Sequence, residues 1–190
     1  MDKAKIEYIR FKVLPYVQPL DIVAVDSFHW WQVTSWVSKW IRVASAAKYS
    51  HVFLVGEMYD WQPKCYTTDF HFRQGELEAE LGKAERFIIR RIKPDLTHDQ
   101  VKKGLAACKA EIGKAYPYLD PLSMWVQNQL NPGAYQLKVD SKNHICSQMV
   151  AWTYWDRMGI PLHPGIDKHW SMFTPLDCIS DDNQRTIARW

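Results

Sequence analysis

The sequence has no apolar run approaching the ~18 residues that a membrane-spanning helix needs, so no transmembrane segment is expected. Its start, Met1 to Val17, lacks a long apolar stretch behind a basic end. No secretory leader is read there, and cytosolic synthesis with free thiols is the expectation. The four cysteines, at 65, 108, 146 and 178, include no CxxC pair and none at metal-ligand spacing from a histidine. A zinc site is therefore not expected, nor any other metal or cofactor. Charge of either sign is barely in excess: the net value is +3. A dedicated nucleic-acid binder shows a stronger basic stripe, so no nucleic-acid partner is expected. The densest basic run, Arg86, Arg90, Arg91 and Lys93, alternates with Phe87, Ile88, Ile89 and Ile92. That is the pattern of a strand with one solvated face. Repeats and low-complexity tracts are absent as well.

What is present is a chain of 190 residues, enough for a single domain over 1–190 with a sizeable core. It is rich in rings, with ten Trp, nine Tyr and seven Phe. Such rings fill cores and also form platforms for flat or sugar-like ligands. The spacing predicts a helix over 3–14, broken by Pro15 and Pro19, then a strand over 20–25. An aromatic helix is expected from Phe28 to Ala44. A second strand, 49–56, is apolar on both faces, with Phe53 and Val55 beside His51 and with Val52 and Leu54 opposite; such strands are usually central. Further strands are expected over 65–72 and 87–92, with a turn at Gly75. Thr97 and Gln100 make a capping box for a helix over 97–114, striped by Val101, Leu105, Cys108 and Ile112. Helices over 121–130 and 145–158 follow, then a loop-rich tail. The order predicts an α+β fold, an antiparallel sheet packed against helices on one side.

Cys146 opens the last long helix. A thiol in the first helical turn lies at the positive end of the dipole, which favours the reactive thiolate, and Asn143 is a candidate cap. Backbone N–H groups there can hold an oxyanion. Cys108 lies on an apolar stripe, and Cys65 and Cys178 lack a helix start. Of seven histidines, His51 stands on an otherwise apolar strand. It is the candidate base, taking the thiol proton and returning it to the leaving group. A third polar group should orient its ring. Thr67, Asp69 and His71 all fall on the next expected strand, in a register that sequence does not fix. Asp69 is chemically the best of them, because a carboxylate also stabilises the imidazolium.

These segments taken in order are similar to a known family. Leu20-Asp21-Ile22-Val23, Tyr49-Ser50-His51-Val52, Ile112-Gly113-Lys114-Ala115-Tyr116-Pro117-Tyr118, Cys146-Ser147-Gln148-Met149-Val150-Ala151 and the tail Phe173-Thr174-Pro175-Leu176-Asp177 resemble the permuted papain-like cysteine hydrolases. Those form the circularly permuted branch of the NlpC-type superfamily, which includes YiiX-like proteins. The resemblance runs from about Leu20 to Asp177 and implies a permuted papain-like fold. It makes Cys146 the nucleophile and His51 the base, and brings Tyr49 to the same strand face as His51, near the substrate. Two departures stand out. Leu20 occupies a position where the family often has Gly, and no Glu falls at the usual third position, leaving Asp69 or His71 to fill it.

The resemblance implies hydrolysis of an amide bond, with a peptidoglycan-type peptide as the first candidate substrate. Trp30 and Trp31, on the aromatic helix, are candidates for contacting it. Lipid acyl transfer or thioester hydrolysis is the alternative that relatives with the same His-before-Cys order suggest. A binding or structural module that kept the fold is the non-enzymatic alternative.

Overall fold

The computed structural model describes residues 2–26, 49–68, 71–115, 146–163, 173–180 and 182–190. The expected helices over 28–44 and 121–130, and with them Trp30, Trp31, Asp69 and Asn143, lie outside these residues. Six strands are described: β1 (Ile22–Asp26), β2 (His51–Tyr59), β3 (Gln62–Thr68), β4 (Phe72–Glu76), β5 (Arg86–Ile92) and β6 (Gln184–Arg189). They form one antiparallel sheet in the order β4-β3-β2-β1-β5-β6. The doubly apolar β1 and β2 are interior strands, as continuous hydrophobicity requires.

Helices cover both faces of this sheet. On one face Val23, Val25, Phe53, Val55, Phe87 and Ile89 meet Ile9, Val13, Leu77 and Leu81. Those residues belong to α1 (Lys3–Tyr8), its π-helical extension Ile9–Val13, and α2 (Leu77–Lys83). The other face carries Ile22, Ala24, Val52, Leu54 and Tyr66 against Cys108, Met149, Val150 and Trp152. These come from α3 (His98–Glu111) and α4 (Cys146–Trp152), the latter continued by a π-helical turn, Thr153–Arg157. Each fully buried Leu or Phe on either face contributes about 1.5–3 kcal/mol. The expectation of helices on one side is thereby corrected, because a sheet apolar on both faces must be covered twice.

Other differences have local causes. Residues 65–72 are not one strand: β3 ends at Thr68 and the chain returns as β4, pairing Thr68 with Phe72 and Cys65 with Gly75. Gly75 therefore lies inside β4, where a Cβ would fall 2.7 Å from the Arg73 guanidinium. The capping box at Thr97 is present, but the buried line of α3 is Gly104, Ala107, Cys108 and Glu111, while Ile112 is exposed. The small residues let α3 approach closely, since a Cβ on Gly104 would lie 2.4 Å from Leu20 Cδ1 and 2.8 Å from Met158 Sδ. The basic run is taken up internally. Arg91 pairs with Asp21, Arg86 with Asp26, and Arg90 donates to Thr186 and Gln184.

Candidate active site

The helical run from Cys146 lies across β2, and its far end is fixed. Tyr154 Oη donates to Leu20 O at 2.6 Å, and Leu20 N donates to Val55 O at 2.7 Å. Tyr154 is thus held near Val55, in the middle of β2. Cys146 lies eight residues back, about 12 Å of helix, and His51 lies four residues before Val55, about 13 Å of strand. Cys146 is buried in the layer over Val52 and Leu54, and His51 begins β2.

His51 is half-buried. Its Nε2 lies 2.9 Å from Thr67 Oγ1, and its ring centroid is 5.7 Å from that of Phe53. If Nε2–H donates to Thr67, the other nitrogen, Nδ1, is the one that accepts a proton. Alternation along β2 puts His51 on the Phe53–Val55 face, whereas Cys146 belongs to the layer over Val52 and Leu54. The alternation breaks at the strand's first step. Val25 is the cross-strand partner of His51, and its carbonyl also accepts from Ser50 N at 3.0 Å. Two residues against one is the arrangement of a β-bulge, which re-aims side chains. Tyr49 is consequently buried in the α4 layer, not alongside His51 as the resemblance implied.

The remaining candidates divide clearly. His71 is exposed and bridges to Ala115 just before β4. Asp69, Trp30 and Trp31 lie outside the described residues. Thr67 is the ring's hydrogen-bond partner, and sequence ranked it below Asp69 because a carboxylate is the stronger orienter. What decides register is the tight turn Asp60–Trp61, which pairs Tyr59 with Gln62 and, past a bulge, Leu54 with Tyr66. Both turn residues have positive φ, 45° and 63°. That is the two-residue hairpin geometry usually signalled by Asn or Gly, and neither is present to give it away.

All four cysteines are free thiols and buried. Burial pushes the Cys65 thiol up to about 12, with Glu80 adding to the effect, and pushes Cys108 up to about 12 despite its contact with Thr153. Cys178 points its sulfur at Ser147 O, 3.5 Å away. Ser147 Oγ in turn donates to Phe173 O at 2.6 Å, tying the start of α4 to the tail. Cys146 is the first described residue of α4.

The arrangement is an α+β one, with a six-stranded antiparallel sheet and helices on both faces. Among solved structures it matches the crystal structure of the metalloprotein YiiX of Escherichia coli O157:H7 (DUF1105), with a TM-score of 0.68 and 16% identity over 92% of this chain and 98% of that one. The chain has a YiiX-like fold. No family model and no curated protein matches the sequence. YiiX is described as a metalloprotein, but among the described residues no three His, Cys, Asp or Glu side chains converge as metal ligands. No described helix is long and apolar enough to cross a membrane.

Proposed function

We propose that the chain is a cysteine-dependent hydrolase of the permuted papain-like, NlpC-type kind, cleaving an amide bond in a peptide of the peptidoglycan type. The observation that carries this reading is a buried cysteine, Cys146, in the helix packed over the strand that begins with His51, whose ring nitrogen lies 2.9 Å from Thr67 Oγ1. His51 stands on the Phe53 face and Cys146 in the layer over Val52, so the reading requires the two to meet past the end of β2, beyond Ser50. His51 takes the Cys146 proton, and the thiolate attacks the amide carbonyl. Backbone N–H groups of the first turn of α4 hold the oxyanion. The C–N bond breaks as the imidazolium gives its proton to the departing amine. Water then attacks the thioester, its proton passing to His51, and returns the free thiol and a carboxylic acid.

Lipid acyl transfer is the second reading. It draws on Met58, Tyr59 and Trp61, which stand exposed around the β2–β3 turn as interfacial residues do. That turn is at the opposite end of β2 from His51, so a bilayer touching it would face away from the proposed site. The peptide reading is therefore preferred. Incubation with purified peptidoglycan fragments and, separately, with phospholipid vesicles tests both. New amine from the fragments, lost in Cys146→Ala, is the expected result. Acyl transfer or free fatty acid from the vesicles supports the lipid reading, and no product from either supports a binding module.

A further inference from the structure

The segment that enters β1 meets the end of β5, the approach to α3 and Tyr154 around a cleft of about 200 Å³. Leu20, Ile92 and Tyr154 are buried at its floor, and half-buried Pro19, Leu96 and Val101 stand at its walls. Tyr154 commits its hydroxyl to Leu20 O, so the ring is what it offers. Val101 is on the apolar stripe of α3 but outside the buried line of Gly104, Ala107, Cys108 and Glu111. The cleft is where that side chain is used.

One charged pair borders this apolar surface. Half-buried Arg91 directs Nε and Nη2 to the two oxygens of buried Asp21, each at 2.7 Å, and Nη2 also donates to Tyr16 O. Those bonds use the hydrogens of Nε and Nη2, and leave Nη1 to donate to a further acceptor. A guanidinium keeps its charge, and its planar N–H groups suit a carboxylate. The volume is smaller than the roughly 300–1,000 Å³ of drug-sized sites, which limits the ligand to a short stem. The cleft adjoins Asp21, at the opposite end of β1 from Val25, the cross-strand partner of His51.

We propose that this cleft binds a small carboxylate on a short apolar stem, the stem lying on Leu20, Ile92, Leu96 and Val101 and the carboxylate meeting Arg91. It does not depend on the hydrolase reading. A free short-chain acid and the apolar C-terminal residue of a peptide both have this chemistry.

The test is titration of the isotope-labelled full chain with hexanoate, followed by NMR. Saturable shifts are expected at the Leu96 and Val101 amides and the Arg91 Nε–H, with a Kd of about 1 mM. Hexanol lacks the carboxylate and acetate lacks the stem, and each should bind at least about tenfold more weakly. N-acetyl-leucine supports the site as hexanoate does, and the tighter of the two names the source. Leu96→Trp and Val101→Trp fill the cleft and leave Asp21 and Arg91 in place. Each should weaken hexanoate by about tenfold or more, in a chain whose amide spectrum shows it folded. Absence of saturable shifts up to about 20 mM overturns the proposal. So does hexanol binding as tightly as hexanoate, or undiminished binding in a folded Trp variant. The wild-type titrations decide the matter should both Trp variants misfold.

Discussion

Thr67 Oγ1 lies 2.9 Å from Nε2 of His51; in the proposed reading, with Nε2–H donating to it, Nδ1 takes the Cys146 proton. Thr67→Val should leave the fold intact and lower turnover about threefold to tenfold, while Thr67→Ser restores it. Assay of both variants on the same fragments checks this, and an unimpaired Val variant would remove Thr67 from the mechanism. Leu20 shows a different constraint. Its φ is +69°, with Leu20 and Asp21 both opposite Val55, so it occupies the left-handed position of a bulge. This accounts for Gly at that position in the resembling family: a side chain there costs about 1–2 kcal/mol. Leu20 is nonetheless retained in the core, fully buried against Gly104. Asp21 beside it is 2% exposed and bound by Arg91 through two 2.7 Å bonds. Burial raises its carboxyl above the ordinary value, against the pull of Arg91 and the Gln18 N–H. A raised carboxyl holds its proton more tightly in the folded state, so its contribution to stability falls as pH rises through the folded value. Arg91→Met removes the opposing pull. We expect about 3–5 kcal/mol lost near neutral pH, partly recovered at mildly acidic pH, as read by urea melts. A loss independent of pH would show that the carboxylate is not its source.

At the scale of elements, the contact between α3 and the sheet shows most clearly what a sequence conceals. Hydrophobicity selects Val101, Leu105 and Ile112, yet the buried line uses Gly104 and Ala107, because close approach rewards small residues over apolar ones. Gly104→Ala should cost about 1–3 kcal/mol by overpacking against Leu20 and Met158. The cost should shrink in a Leu20→Ala background, where the clash is relieved, and a double-mutant cycle by chemical denaturation measures that coupling. Additive losses would mean that Leu20 is not what Gly104 accommodates. The cap of the same helix was legible: Thr97 and Gln100 satisfy each other's backbone N–H as their spacing predicts. Thr97→Ala should cost about 1 kcal/mol in the same assay. β6 was not legible, because Gln184 to Arg189 is too polar to read as a strand. An edge strand needs only alternate burial, here Gln184 and Ala188, and its polar residues guard the open edge. The fold-back between β3 and β4 was missed for a related reason, since alternation continues in phase through both strands and does not mark where the chain reverses.

For the whole molecule, β2 was readable as an interior strand, because only a sheet covered on both faces calls for a continuous apolar run. The consequence, helices on both faces, follows from the same residues. Cys146 and His51 were conspicuous in the sequence, each against its own local pattern, whereas Thr67 as the partner of the ring was not, because it depends on a hairpin register that no single residue announces. The YiiX-like fold fits the order of elements but leaves the chemistry to be tested on this chain. All four thiols are buried, so exposure alone predicts slow and similar alkylation of each. The hydrolase account predicts otherwise, because a helix start and a nearby imidazole favour the thiolate at Cys146 alone, while burial suppresses it at Cys65 and Cys108. The decisive measurement is mass-spectrometric mapping of all four cysteines after brief iodoacetamide treatment at neutral pH, in the wild type and in His51→Ala. The account predicts that Cys146 is modified first and by a wide margin, and that the margin collapses in His51→Ala. Equal labelling of the four thiols, or a Cys146 rate indifferent to His51, would contradict it.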